Sequence, residues 1–233
     1  MTSYVDAWDT AETNKKIGFI YDNGVDGVVF SALNREIAEA RGYTIIDPGR
    51  FPAGTKDYTA IISQFKAEGV DIVAANMITP DFGVLWNQFH QQGFIPKIMN
   101  IGKAMHFTAD VAALGEDMGV GLLSEDMWAA TYPYKSALTG QTAAELTADW
   151  EEYSGKPADC TLGYDWSTFE VINDVFTRAK TLDKEKVRQA LAETDLDTAY
   201  GRIKYDERNI SVVPVVTSQW KKGTKFPYEK NIV

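Results

Sequence analysis

The sequence predicts an α/β fold: a mostly parallel sheet with helices on both faces, followed by a second part rich in helix. Three observations predict it. Short apolar runs of strand length alternate with helix-length amphipathic stretches through the first half of the chain. Glycines fall where those helices should stop. After Pro133 the strands drop out, and helices follow one another directly.

Residues 17–21 are a short apolar run of buried-strand type, and Asn23-Gly24 turns the chain. Val29, Leu33, Ile37 and Ala40 then recur at helical spacing, with Gly42 as the stop. Residues 43–46 read as a second strand. Asp57 is placed to cap a helix bearing Ile61, Ile62 and Phe65, which Gly69 ends. Residues 71–75 give a third strand, and Pro80 opens a helix carrying Leu85 and Phe89 up to Gly93. Residues 97–100 and 120–124 complete five strands, and residues 130–133 are the candidate crossover to another lobe.

Beyond it, residues 142–153 and 164–182 read as helices, the second with Phe169, Ile172, Val175, Phe176 and Ala179 along one stripe. Asp183 caps a third helix running to Glu193. Strands return at 202–205 and 212–220, and Ile232-Val233 ends the chain on an apolar note.

Composition bounds the function. The 233 residues carry a net charge of −10, which argues against a nucleic-acid or anionic-membrane partner because the phosphate field would repel it. No apolar run approaches the ~20 residues needed to cross a bilayer. Cys160 stands alone, so no internal disulfide is expected, and no Cys/His spacing suits a metal. Residues 1–16 lack the basic patch and apolar stretch of a signal peptide.

The sequence offers no catalytic set and calls for no cofactor. His90 and His106 have no second ligand at metal spacing, and no Gly-x-Ser-x-Gly elbow is present. The string Gly49-Arg50-Phe51-Pro52-Ala53-Gly54-Thr55-Lys56 approaches a P-loop with its last two positions reversed. Pro52 also removes one of the backbone donors a phosphate would need. A turn leading into the next helix explains it better. The sequence is therefore not expected to be that of an enzyme.

Four strings, in order, resemble one family. They are residues 16–27 (the strand entering a lobe), 57–71 (Asp-Tyr through Ile61 and Lys66 to Gly69-Val70-Asp71), 80–94 (the helix from Pro80 to Gly93-Phe94) and 196–206 (Leu-Asp-Thr-Ala-Tyr-Gly-Arg-Ile-Lys-Tyr-Asp). Together they are similar to the branched-chain amino-acid-type receptors of periplasmic-binding-protein type I, which are substrate-binding proteins of ABC transporters. The resemblance implies a Rossmann-like lobe two over residues 14–130 and 212–233, and a mainly helical remnant of lobe one over 134–205. The rest of lobe one, on the order of 100–130 residues, would be absent, so the chain reads as an N-terminally truncated fragment. The resemblance further implies an extracytoplasmic receptor, periplasmic or lipid-anchored. It would capture an amino acid or small carboxylate between its lobes and hand it to an ABC permease. The alternative is the ligand-sensing domain of a transcriptional regulator with the same bilobal fold. A homodimer is expected if truncation leaves the apolar stripe of residues 169–176 without its sheet.

Loops after the strands are where such a fold presents ligand. They contribute Asn23 and Asp26; Asn76, Met77, Ile78 and Thr79; Gly102 and Lys103; and Trp128, with Tyr164 and Trp166 added from the remnant. The resemblance places an aromatic residue near Asp26, a tyrosine at Ile78 and an ammonium-binding carboxylate near Gly102 in amino-acid receptors. The departure at Lys103 implies a cation available to a ligand carboxylate, and Trp128 and Trp166 would suit an aromatic ring.

Overall fold

A computed structural model describes residues 2–115 and 117–233. The elements are α1 (Thr2–Trp8), β1 (Lys16–Tyr21), α2 (Val25–Ala40), β2 (Thr44–Ile46), α3 (Thr59–Glu68), β3 (Ile72–Asn76), α4 (Thr79–Gln91), β4 (Ile98–Gly102), α5 (Thr108–Ala112) and β5 (Leu123–Asp126). They continue with α6 (Ala143–Ser154), α7 (Leu162–Ala179), α8 (Lys184–Ala192), β6 (Asp195–Thr198), β7 (Gly201–Lys204), β8 (Val216–Lys222) and β9 (Tyr228–Ile232). The chain divides into two compact units, Met1–Glu125 with Val216–Val233, and Asp126–Val215.

The first unit is built on a seven-stranded sheet in the order β2-β1-β3-β4-β5-β8-β9. β1 pairs in parallel with β2 and β3, β3 with β4, and β4 with β5, while β8 and β9 pair antiparallel. Alternation along the central strands sorts side chains to two faces. Ile17, Phe19, Tyr21, Ile72, Ala74 and Ile98 join Tyr4, Val5 and Trp8 of α1 and Ala38 of α2 in one core. Ile20, Val73, Ala75, Met99 and Ile101 join Ile62 and Phe65 of α3 and Phe82, Leu85, Trp86 and Phe89 of α4 in the other. Gly18 lies on the second face because a Cβ there would stand 2.5 Å from the Phe65 ring. Both faces are therefore covered, as a parallel sheet requires.

Local chemistry sets the helix ends. Asp57 Oδ1 accepts from Thr59 N at 2.9 Å, and Gly69 closes α3 in the left-handed conformation at φ 65°. Pro80 lies in the first turn of α4, where its missing N–H costs nothing.

The structure corrects the reading of α2. Val29 and Leu33 are exposed, and the helix packs through Gly27, Ser31, Asn34 and Ala38 instead. The approach is too close for large side chains: a Cβ on Gly27 would lie 2.0 Å from the Asp22 carbonyl oxygen. Asn34 Nδ2 donates to Tyr21 Oη at 2.8 Å on the same face. Four short elements, α1, α5, β6 and β9, go beyond the sequence reading, and β8 begins at Val216 rather than at 212.

In the second unit, α6 starts on a capping box in which Thr142 and Glu145 satisfy each other's backbone N–H groups. Asp183 caps α8 by accepting from Lys186 N at 3.1 Å. β6 and β7 form an antiparallel hairpin. α7 is buried along Gly163, Ser167, Glu170, Val171 and Val175, while Phe169, Ile172 and Phe176 are exposed. Val175, read from the sequence as part of the same stripe, belongs to the packed face.

Candidate functional site

Polar side chains gather where the parallel strands of the first unit end. Asp22 follows β1, Asn76 ends β3, Gly102 ends β4 with Lys103 next, and Glu125 lies within β5. The register brings these ends level, pairing Tyr21 with Asn76 and Asn76 with Gly102. Of the eleven candidate positions named above, eight lie at or just after these strand ends in the first unit, while Trp128, Tyr164 and Trp166 belong to the second.

Asp22 is 3% exposed and uses both oxygens. Oδ1 accepts from Gly24 N at 2.9 Å, and Oδ2 accepts from Lys103 Nζ at 3.2 Å. Asp26, in the first turn of α2, reaches the same ammonium at 3.5 Å. Its position there also favours a carboxylate, since the helix N-terminus carries partial positive charge. The cation that the sequence offers to a ligand is thus engaged by two carboxylates of its own chain. Lys103 holds a left-handed backbone at φ 69° and Met105 another at φ 61°, so the β4 turn is an unusual one for non-glycine residues.

Glu125 organises the other side of the rim. Its Oε1 accepts from Lys103 N at 3.0 Å and lies 3.1 Å from His106 Nε2, and its Oε2 accepts from Tyr4 Oη. Gly102 leaves a niche: a Cβ there would meet Asn76 Nδ2 at 2.9 Å, Glu125 Oε2 at 3.3 Å and Tyr4 Oη at 3.4 Å. Asn76 Oδ1 is buried with no hydrogen-bond partner among the described residues. Tyr4, Asp22 and Glu125 were missed from sequence, and His106 was weighed only as a metal ligand and set aside. Asp22 stood directly beside the chosen Asn23, whereas nothing local announces Tyr4 or Glu125.

Burial, assisted by the nearby Lys230 ammonium, pushes the His106 imidazole down to about 4. A histidine whose folded pKa lies below its unfolded value near 6.5 is held neutral by the fold. The stability it contributes is complete above about pH 6.5 and is lost as pH falls toward about 4. Carbon-detected NMR should therefore show the His106 ring titrating near pH 4. A His106 midpoint at or above 6.5 would mean that the Glu125 carboxylate dominates its surroundings.

The remaining sequence candidates occupy varied positions. Asn23 is exposed, with its N–H donating to the Phe51 carbonyl at 2.9 Å. Met77 is fully buried in the α3/α4 core, Ile78 is 37% exposed as the residue before α4, and Thr79 opens that helix. In the second unit Trp128 is 2% exposed, its indole N–H donating to the Ala199 carbonyl at 2.9 Å and its ring filling the space over Gly163. That ring is a packing element in its unit. Tyr164 is 51% exposed and meets Tyr200 edge-on, while Trp166 Nε1 donates to Ser136 Oγ at 3.0 Å.

A hollow of about 350 Å³ lies elsewhere on the first unit, lined by Ser31, Arg35, Glu39, Asp47 and Arg50 among others. Arg35 is already paired with Glu39 and Asp47, and Arg50 donates to Ser31, so its polar groups satisfy one another. Among the described residues no group of three or more His, Cys, Asp or Glu could hold a metal ion, and no helix is long and apolar enough to cross a membrane.

The carboxyl ends of strands in an open α/β sheet, where this mixed rim of acids, amides and one lysine lies, are where such folds commonly present ligand sites. Comparison with known proteins makes this specific. The chain belongs to the periplasmic binding protein family, whose family model matches residues 1–225. It is 25% identical over 195 residues to the leucine-, isoleucine-, valine-, threonine- and alanine-binding protein of Pseudomonas aeruginosa, covering 84% of this chain and 50% of that protein. It is 22% identical over 217 residues to Leu/Ile/Val-binding protein homolog 7 of Brucella abortus, covering 89% and 53%. The chain thus spans about half the length of these curated relatives.

Solved structures agree on the fold. The leucine-binding protein LivK of Thermotoga maritima superposes with a TM-score of 0.76 at 20% identity, covering 94% of this chain and 59% of that one. The branched-chain amino acid transporter substrate-binding protein LivJ of Streptococcus pneumoniae, solved with isoleucine, gives 0.76 at 15% identity, covering 99% and 64%.

Proposed function

We propose that the chain is part of an extracytoplasmic solute-binding receptor. It would capture a small organic molecule of the amino-acid class and deliver it to an ABC importer, without catalysing a reaction. The observation that carries this reading is the convergence of Asp22, Asp26, Asn76, Lys103 and Glu125 at the carboxyl ends of β1, β3, β4 and β5, in a fold whose named relatives bind amino acids. In this reading the unit of Met1–Glu125 with Val216–Val233 is lobe two, and Asp126–Val215 is the part of lobe one present in the chain. The ligand would be held at the lobe-two rim. A carboxylate or aromatic ligand remains the finer alternative, and the engagement of Lys103 by Asp22 and Asp26 weighs against it.

Isothermal calorimetry against a panel of amino acids, small carboxylates and aromatic acids tests the reading. Saturable binding of at least one amino acid is expected. Incubation with ATP, carboxylic esters and phosphodiesters should yield no product above a buffer control. Saturable turnover that is lost on changing a rim residue would replace the receptor with an enzyme.

A further inference from the structure

The face of α7 turned away from its own unit has a pattern of its own. Phe169, Ile172 and Phe176 are 63%, 46% and 44% exposed, and Ala179 is half-buried in the same row. Steps of three, four and three residues separate these four side chains, the a/d spacing of a coiled-coil seam. Thr168, Asn173 and Thr177 flank the row, so no charge lies within it.

The charges of this helix lie elsewhere. Glu170 is buried on the packed side, and Asp174 is paired with Arg178 at 2.6 Å. Arg178 also donates to the Ala190 carbonyl, which puts that pair toward α8. Two charges are left over. Asp165 stands in the first turn, one turn before Phe169, and Lys180 is the C-cap, one turn after Phe176. Both are exposed, and neither side chain makes a hydrogen bond or ion pair with the described residues.

An apolar row with a free acid at one end and a free base at the other complements itself when turned end for end. A two-fold axis beside Ile172 sets Phe169 against the partner's Phe176, and symmetry repeats the contact. The same register sets Asp165 against the partner's Lys180 and Thr168 against the partner's Thr177. Parallel pairing would instead bring like charges together at both ends. The three large side chains expose about 300 Å² per copy. That is the small end for specific interfaces, so association depends on concentration.

We propose that α7 is a self-association surface, covered by α7 of a second copy of this chain running antiparallel to it. The inference goes beyond the receptor reading and does not depend on it, because it concerns the Asp126–Val215 unit whatever the first unit binds.

Sedimentation equilibrium of the 233-residue chain, from micromolar to near-millimolar concentration, tests it. At about 0.15 M salt the net charge of −10 on each copy is screened beyond about 8 Å, while contact pairs still act. A monomer–dimer equilibrium is expected. Ile172→Glu, which sets two carboxylates against each other at the axis, should weaken the dimer by about tenfold or more. Asp165→Lys and Lys180→Asp should each weaken it by a similar factor, since each puts like charges at both ends. An equimolar mixture of those two variants should recover the dimer, because every end contact then joins opposite charges. Lys180 holds a left-handed backbone at φ 52°, which aspartate tolerates, and circular dichroism of each variant reports its folding. Should a charge variant unfold, an isotope-filtered Overhauser contact between the Phe169 ring of one copy and the partner's Phe176 decides the register in the native chain.

A chain that stays monomeric throughout the series overturns the inference. So does a dimer that Ile172→Glu leaves intact, which would place the contact on another face, such as the exposed Val25, Val29 and Leu33 of α2. A mixture of the charge variants that stays monomeric, or absence of the Phe169–Phe176 contact in a native dimer, overturns the antiparallel register and the inference with it.

Discussion

Exchange of Glu170 for alanine is expected to cost the Asp126–Val215 unit about 3–5 kcal/mol, because it removes a buried acid that joins three separate segments. The Glu170 side chain is 2% exposed. Its Oε2 accepts from Ala199 N at 2.9 Å and its Oε1 from Leu138 N at 3.3 Å, tying α7 to the β6–β7 turn and to the loop before α6. Alanine would leave a cavity and strip the Ala199 amide, itself fully buried, of its acceptor. Glu170→Gln keeps an acceptor for one of the two amides and should cost less than half as much. Because the chain holds two units, a single melting curve is not a safe measure. Native-state hydrogen exchange at the Leu138 and Ala199 amides reads the unit directly. Unchanged protection in Glu170→Ala would show that those amides are held by something other than this carboxylate.

Trp8→Ala should destabilise the other unit by about 3–5 kcal/mol, the usual range for deleting a large buried aromatic. Trp8 is 0% exposed, packs against Tyr4 and edge-on against Tyr43, and donates its indole N–H to Asn100 Oδ1 at 3.0 Å. Asn100 Nδ2 has no partner among the described residues, so losing Trp8 leaves that buried amide without its remaining contact. Tyr4 rides on the same short helix, and its hydroxyl binds Glu125. Trp8→Phe, which restores most of the volume but not the N–H, should recover part of the loss. Urea unfolding followed by exchange at the β3 and β4 amides measures it. An alanine variant as stable as the native chain would mean that α1 contributes little to the core.

The fold was legible where one residue class decides the structure. β1, β3 and β4 are buried on both faces, so they appear as uninterrupted apolar runs, and Gly69 and Gly93 stop their helices at positive φ. α2 was legible as a helix but not in orientation. Its inner face is made of Gly27, Ser31, Asn34 and Ala38 because the backbone lies close to β1, so hydrophobic periodicity selected the outer face. α1 spans only seven residues, yet Tyr4, Val5 and Trp8 sit at one-turn spacing and were a usable signal.

The site divides along the same lines. The rule that ligands gather beyond strand ends selected Asn23, Asp26, Asn76, Gly102 and Lys103 as candidates without any contact information, and the structure places them at the ends of β1, β3 and β4 or in the loops after them. Pairing could not be read in that way. Lys103 meets Asp22 across 81 positions of sequence, and Tyr4 meets Glu125 across 121, so their partnership exists only once the sheet aligns the strand ends. The same holds for Trp128, whose role follows from Gly163 and Ala199 in distant segments.

The central claim is that ligand binds at the carboxyl ends of β1, β3 and β4. It is tested most directly by mapping amide shifts of the 15N-labelled chain during titration with whichever amino acid the calorimetric panel selects. The account predicts that the shifts concentrate in residues 22–27, 76–79 and 102–106, with the Asp22 and Lys103 amides among the most affected. Shifts confined to the hollow at Ser31, Arg35 and Arg50, or spread without focus over both units, would contradict it.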